Sequence, residues 1–214
     1  MAAGILLNKD LFIKEGIRQK CFMHPDDENL CIKIAKPNID KKRLINETKY
    51  WARYSKKKIK SNDYPFFPRY YGTIETNLGI GHVFDLIRDE TTDEYSKTLD
   101  YYLLNSVDFI NDGILEATFK KLIQLMARYR VIANDIKPEN ICCKILSDNT
   151  VQLVLIDGVG HRDFIPLVDW SAFFAKKKIQ RRLLKLNLHD LNIQRNYLLK
   201  ESKLQFRAAR VKNA

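Results

Sequence analysis

Hydrophobic and polar positions change rhythm near residue 87. Before that point apolar residues come in short runs bounded by turn-forming clusters, and residues 10–17, 30–35, 69–75 and 80–87 read as β-strands. His24-Pro25-Asp26-Asp27-Glu28-Asn29 makes a turn between the first two, and Asn77-Leu78-Gly79 joins the last two. Between the pairs, Asn38-Ile39-Asp40 offers N-cap side chains to a helix over 41–57, and a loop rich in proline and aromatics follows, Tyr64-Pro65-Phe66-Phe67-Pro68. Beyond residue 87 the apolar period lengthens to that of helices, over 99–109 and 114–129. Residues 130–145 contain a polar loop, 151–156 form a short apolar strand, and the chain from Trp170 reads as helical and basic. Strands with one helix first and mostly helices second predict an α+β fold in two lobes with a boundary near 86–89. The divisions are a β-rich lobe over 1–87, a reduced helical lobe over 88–182 and a basic tail over 183–214.

Composition narrows the class of protein more than its function. The 214 residues are 45% hydrophobic and 29% charged, which is ordinary for a soluble globular chain able to bury a core without disulfides. The four cysteines, at 21, 31, 142 and 143, fit no zinc template, and the adjacent pair seldom bridges itself, so they read as reduced thiols. The start MAAGILLNKDLF lacks the charged and long apolar regions of a signal peptide, and no run approaches the length that spans a bilayer. A cytoplasmic protein is expected. The net charge of +11 is concentrated late, with twelve Lys or Arg against two acids from Lys176 onward, so the first 175 residues are close to neutral.

The strongest chemical signal is Asn134-Asp135-Ile136-Lys137-Pro138-Glu139-Asn140. Asp, then Lys two residues on, then Asn five residues on is the spacing of a phosphoryl-transfer loop. The Asp accepts or orients the proton of an attacking hydroxyl, the Lys neutralises the transferring group, and the Asn oxygen binds a metal. Asp, Lys, Pro, Glu and Asn also suit a plain surface turn. The next element favours the chemical reading: the apolar run 151–156 ends in Asp157-Gly158, a carboxylate at a strand end placed to hold Mg²⁺ on phosphates. An ordinary strand-to-turn Asp-Gly is the bland alternative.

A third signal lies in Cys31-Ile32-Lys33-Ile34-Ala35. Alternation puts Cys31, Lys33 and Ala35 on one face of a strand, a surface on which a flat ring can lie. On the helix that follows, Leu44, Glu47, Trp51 and Tyr54 form one stripe, and Glu47 is its only acid. An inward Glu needs a cation, and Lys33 is the obvious one. At the edge of the stripe, Glu47 would instead pair with a surface lysine.

These residues give the chain a resemblance. With Gly16 and Arg18, Cys21, His24-Pro25-Asp26-Asp27, Cys31-Ile32-Lys33, Glu47, Leu86-Ile87-Arg88-Asp89, Asp135 to Asn140, Ile156-Asp157-Gly158-Val159-Gly160 and the basic run from Ala175 to Arg182, it resembles the YrbL family of bacterial kinase-like proteins and, more distantly, the protein kinases. The resemblance implies a protein-kinase-like two-lobed fold that binds Mg·ATP. It implies that Gly16 belongs to the loop covering the phosphates, that Lys33 binds the α- and β-phosphates, held by Glu47, and that Cys31 lines the adenine pocket. It further implies that backbone groups of Asp85, Leu86 and Ile87 read the adenine edge, that Asp135 is the base, that Lys137 approaches the γ-phosphate, and that Asn140 and Asp157 hold Mg²⁺. The departures are Ala133-Asn134 before the Asp, a single glycine in the covering loop, Gly158 directly after the metal-binding Asp, and no Ala-Pro-Glu segment among the 56 residues after Gly158. A platform for peptide substrates would be incomplete.

The expected function is therefore ATP-dependent phosphotransfer to a small molecule or an envelope glycolipid. The alternative is a nucleotide-binding pseudokinase acting through a partner. In the tail, Ile179, Leu183 and Leu186 recur at helical spacing among basic residues. A terminal helix with a solvated face is the simpler reading, and contact with an anionic membrane surface at the inner face is the other. Aromatics are too sparse there, with Tyr197 and Phe206 alone after Phe174, for a single-strand nucleic-acid platform.

Overall fold

Alternation in the first third of the chain builds an antiparallel sheet. The structure, a computed structural model, describes residues 4–37, 39, 41–92, 94–105, 112–133 and 135–160. Strands β1 (Phe12–Glu15), β2 (Gln19–Met23), β3 (Leu30–Ala35), β4 (Tyr70–Thr76) and β5 (Gly79–Asp85) pair in the order β1-β2-β3-β5-β4. The α+β class expected from the sequence is the one observed. The run 10–17 does not pair directly with 30–35. It ends at a turn through Gly16, where Gly16 N–H donates to Gln19 O (2.8 Å), and β2 intervenes. The strand at 19–23 escapes a periodicity reading because Phe22 is its only fully buried side chain.

Each face of β3 has its own partners, as the alternation requires. Ile32 and Ile34 pack with Leu7, Phe22 and Val83 on one side. Cys31 and Lys33 face the other, toward helix α1 (Lys41–Ser55), whose Trp51 and Tyr54 are 2% and 1% exposed and join the main core. The edge-to-face pair Trp51–Phe84, with centroids 5.5 Å apart, sets the helix on the sheet.

Helix α2 (Leu99–Asn105) and helix α3 (Asp112–Tyr129) follow. Leu115, Phe119, Leu122 and Met126, at helical spacing on α3, share the main core with Leu153 and Leu155. The polar loop expected within 130–145 precedes residue 141. It makes one 3₁₀ turn at Pro138–Asn140 and becomes strand β6 (Ile141–Ile145), which pairs with β7 (Val151–Leu155) as a separate hairpin. Leu155 N–H donates to Phe66 O (2.9 Å) and Tyr64 OH to Leu153 O (3.3 Å), so the Pro- and aromatic-rich loop ties this hairpin to the end of α1. Among the described residues no helix is long and apolar enough to cross a membrane. The expected N-cap residues Asn38 and Asp40, the end of the 99–109 helix and the tail from residue 161 lie outside the described residues.

Candidate functional site

Two groups of side chains meet where β7 ends. Lys33 reaches from the middle of β3 and donates its ammonium to Ile156 O at 2.7 Å, with the Phe84 ring 4.8 Å away. Burial pulls the Lys33 pKa down, but the charges of Asp157, Cys31, Cys21 and Glu47 outweigh it and hold it above the ordinary lysine value. Asp157 follows Ile156 directly, and its Oδ1 accepts the Gly158 N–H (2.7 Å).

Glu47 does point inward, its side chain 12% exposed, but it does not close on Lys33. It accepts Arg18 Nη1 at 3.5 Å and lies near enough to Asp157 for the two carboxyls to shift each other. Burial first, and then the bond to and charge of Asp157, push the Glu47 carboxyl to about 8, against the pull of Arg18 and Lys33. For Asp157 burial acts upward, but the Glu47 bond and the Lys33 charge prevail and its pKa falls. The two carboxyls thus share one proton, carried by Glu47. In place of the expected Lys33–Glu47 ion pair, the Lys33 ammonium is held by Ile156 O and the Glu47 carboxyl faces Arg18.

The second group is the loop before β6. Asp135 and Lys137 pair at 3.3 Å, and Lys137 also stands 3.8 Å from Glu139. Asn140 is buried; its Nδ2 donates to Asp135 O (2.8 Å), and its backbone O accepts Ile156 N–H (2.8 Å). Gly158 locks the two groups together. Its φ is +78°, and a Cβ there would stand 2.5 Å from Asp135 O. Only a residue without a side chain lets the Asp157 turn lie against Asp135.

The strand-exit segment is partly engaged. Asp85 O accepts the Cys31 thiol (3.7 Å), while the Asp85 carboxylate takes Arg69 N–H and Tyr71 OH, both at 2.7 Å. Leu86 N–H is spent on Asn29 O (2.7 Å). The Ile87 carbonyl accepts Ser96 N–H (2.8 Å). A recess behind Lys33, walled by Leu44, Glu47, Trp51, His82 and Phe84, is little larger than a water molecule.

Lys33, Glu47 and Asp157 are therefore brought together, and Asp135, Lys137 and Asn140 adjoin them. Gly16 stays in its turn and contributes through Arg18, two residues on. Sequence reasoning gave no role to Arg18, Phe84 or Cys21. Cys21 pairs with Lys33 across β2 and β3, a placement that becomes readable only once β2 is recognised. No cluster of three His, Cys, Asp or Glu among the described residues is placed to hold a metal alone. Asn140 Oδ1 and the Asp157 carboxylate offer two hard oxygens, a set that suits Mg²⁺ when waters and phosphates complete its shell.

Fold and site together define an α+β protein with a buried carboxyl pair, a lysine and an arginine gathered at one side of an antiparallel sheet. The chain belongs to the YrbL family: residues 5–189 match the family of the PhoP regulatory network protein YrbL. Similar proteins include the "Uncharacterized protein YrbL" of Escherichia coli (strain K12) and that of Shigella flexneri. Each is 31% identical over 189 residues, which cover 83% of this chain and 83% of the relative.

Proposed function

We propose that this protein is a kinase-like phosphotransferase that binds Mg·ATP and passes the γ-phosphoryl group to a small molecule or an envelope glycolipid. The observation that carries the reading is the convergence of Lys33, Glu47 and Asp157 with the Asp135–Asn140 loop through the Gly158 turn. The adenine ring would lie against the Cys21 and Cys31 face, its edge read by Asp85 O and Ile87 N–H. Lys33 would exchange Ile156 O for phosphate oxygens, which are better acceptors for an ammonium. Mg²⁺ held by Asn140 and Asp157 supplies charge neutralisation when bound.

Asp135 is half-exposed, and its carboxylate would accept the proton of the acceptor hydroxyl. That oxygen bonds phosphorus as the bond to the leaving ADP breaks, and Lys137 offsets the charge. The test is ATP turnover, with water or added acceptors, by the chain and by Asp135→Asn. Turnover should fall by about 100-fold or more with ATP binding retained. Equal turnover in both proteins would remove Asp135 from the chemistry.

One observation favours a second reading, a pseudokinase that binds nucleotide and acts through a partner. Lys33 is turned onto Ile156 O, and Glu47 shares a proton with Asp157 in place of pairing with Lys33. ATP binding with no phosphate release above that of Asp135→Asn would support this reading.

A further inference from the structure

We propose that Arg18 binds a phosphate of the bound nucleotide, and that its guanidinium leaves Glu47 to do so. The assignment rests on the nucleotide reading above and adds a ligand-binding side chain in the turn between β1 and β2. That turn is held at both ends. Gly16 N–H closes on Gln19 O (2.8 Å), and Arg18 O accepts Lys36 N–H (2.9 Å), which ties the backbone at Arg18 to the chain just past β3. From this anchor the guanidinium crosses to α1 and meets Glu47 Oε2 at 3.5 Å. Glu47 and Lys33 wall the same recess, and Gln19, the residue after Arg18, lines it with them. Arg18 is thus a second cation beside the site that Lys33 enters.

The Arg18–Glu47 contact leaves most of the guanidinium unused. Arginine carries five donors in a planar fork. Among the described residues Glu47 is the one hydrogen-bond partner of that fork, and 3.5 Å is well beyond the length of about 2.7–2.9 Å typical of a charge-assisted bond. The Arg18 side chain is 23% exposed and that of Glu47 12%, so a solute reaches the arginine first. A phosphate offers adjacent oxygens that the fork takes in pairs, which one long contact to a carboxylate does not match. The Arg18 charge also pulls the Asp157 carboxyl down, in keeping with a place beside the proposed metal end.

The exchange involves Lys33 as well. Lys33 is held by Ile156 O and Glu47 by Arg18. When phosphate oxygens take both cations, Glu47 loses its arginine and keeps its inward position on α1. Lys33 is the other cation whose charge acts on it. Departure of Arg18 would therefore favour the Lys33–Glu47 pair that the sequence leads one to expect. An arginine that only braces the turn against α1 has a different signature: its loss would weaken ligands with and without phosphate alike, and only while Glu47 is present.

The experiment measures binding of Mg·ATP, adenosine and inorganic tripolyphosphate to the full chain, to Arg18→Ala and Arg18→Lys, and to Glu47→Gln with and without Arg18→Ala. Arg18→Ala should weaken ATP and tripolyphosphate by at least about tenfold and leave adenosine within about twofold. Arg18→Lys, which keeps the charge and loses the fork, should recover part of the loss. The loss from Arg18→Ala should persist in the Glu47→Gln background, where bracing through the Glu47 carboxylate is already gone. Unchanged ATP and tripolyphosphate affinities in Arg18→Ala overturn the proposal. So does an equal loss for adenosine and ATP, or no further loss once Glu47 is Gln. Tripolyphosphate separates this proposal from the reading it rests on. Arg18-dependent binding of tripolyphosphate without binding of ATP overturns the nucleotide reading and keeps the phosphate site, and binding of neither overturns both.

Discussion

The shared proton between Glu47 and Asp157 has a measurable consequence for stability. A folded carboxyl near 8, against an ordinary 4.5, means that the folded chain holds a proton the unfolded chain releases. The stabilisation is complete below about 4.5 and is lost as pH rises through about 8. Asp157 acts in the opposite sense: its lowered pKa contributes stability above about 3.8 that is lost in acid. The free energy of unfolding should therefore fall as pH rises from 5 to 8, by up to about 1.4 kcal/mol per pH unit, and the melting temperature with it. Glu47→Gln, which keeps a donor without a titration, should flatten that slope. A flat profile in the unmodified chain would show that the carboxyls do not share a proton. Gly158 is the other decisive residue. Gly158→Ala forces a Cβ against Asp135 O at a positive φ and should cost about 1–3 kcal/mol in a denaturant titration. An unchanged midpoint would mean the Asp157 turn is not fixed against Asp135.

Elements were legible in the sequence where one physical signal dominated. Strand β3 is the apolar run 30–35 as read, and α1 carries the expected stripe of Trp51 and Tyr54 with Glu47 turned inward. Strands β2 and β6 were not legible. β2 has a single fully buried residue, and β6 is buried at three successive positions, Ile141, Cys142 and Cys143, so neither shows the alternation of a half-buried strand. The partner of Glu47 was misread for a related reason. A helical stripe tells which way a side chain points, but its partner depends on how the sheet, α1 and the end of β7 meet. The contact of helix and sheet is also where element stability concentrates. Trp51 is buried against Phe84, whose ring lies beside Lys33. Trp51→Ala should cost about 3–5 kcal/mol by chemical denaturation and loosen Lys33 as well. A loss below about 1 kcal/mol would show that α1 is not anchored through this residue.

At the scale of the whole molecule, the strand-rich start, the helical middle and the late basic charge were readable from pattern and composition. The joining of distant segments was not. Ile132 N–H on Tyr54 OH (3.1 Å), Leu155 N–H on Phe66 O (2.9 Å) and Lys33 on Ile156 O unite parts of the chain far apart in sequence. The basic tail lies outside the described residues, and a membrane or acceptor role for it stays an expectation from its charge. Under the proposed function, the convergence at Asp157 should bind Mg·nucleotide. The most direct measurement is calorimetric titration of ATP into the full chain, with and without Mg²⁺, beside Asp157→Ala. Binding should depend on Mg²⁺ and weaken by about tenfold or more in Asp157→Ala, as expected when a metal-binding carboxylate is removed from a phosphate site. No ATP binding with Mg²⁺, or binding indifferent to both Mg²⁺ and Asp157, would contradict it.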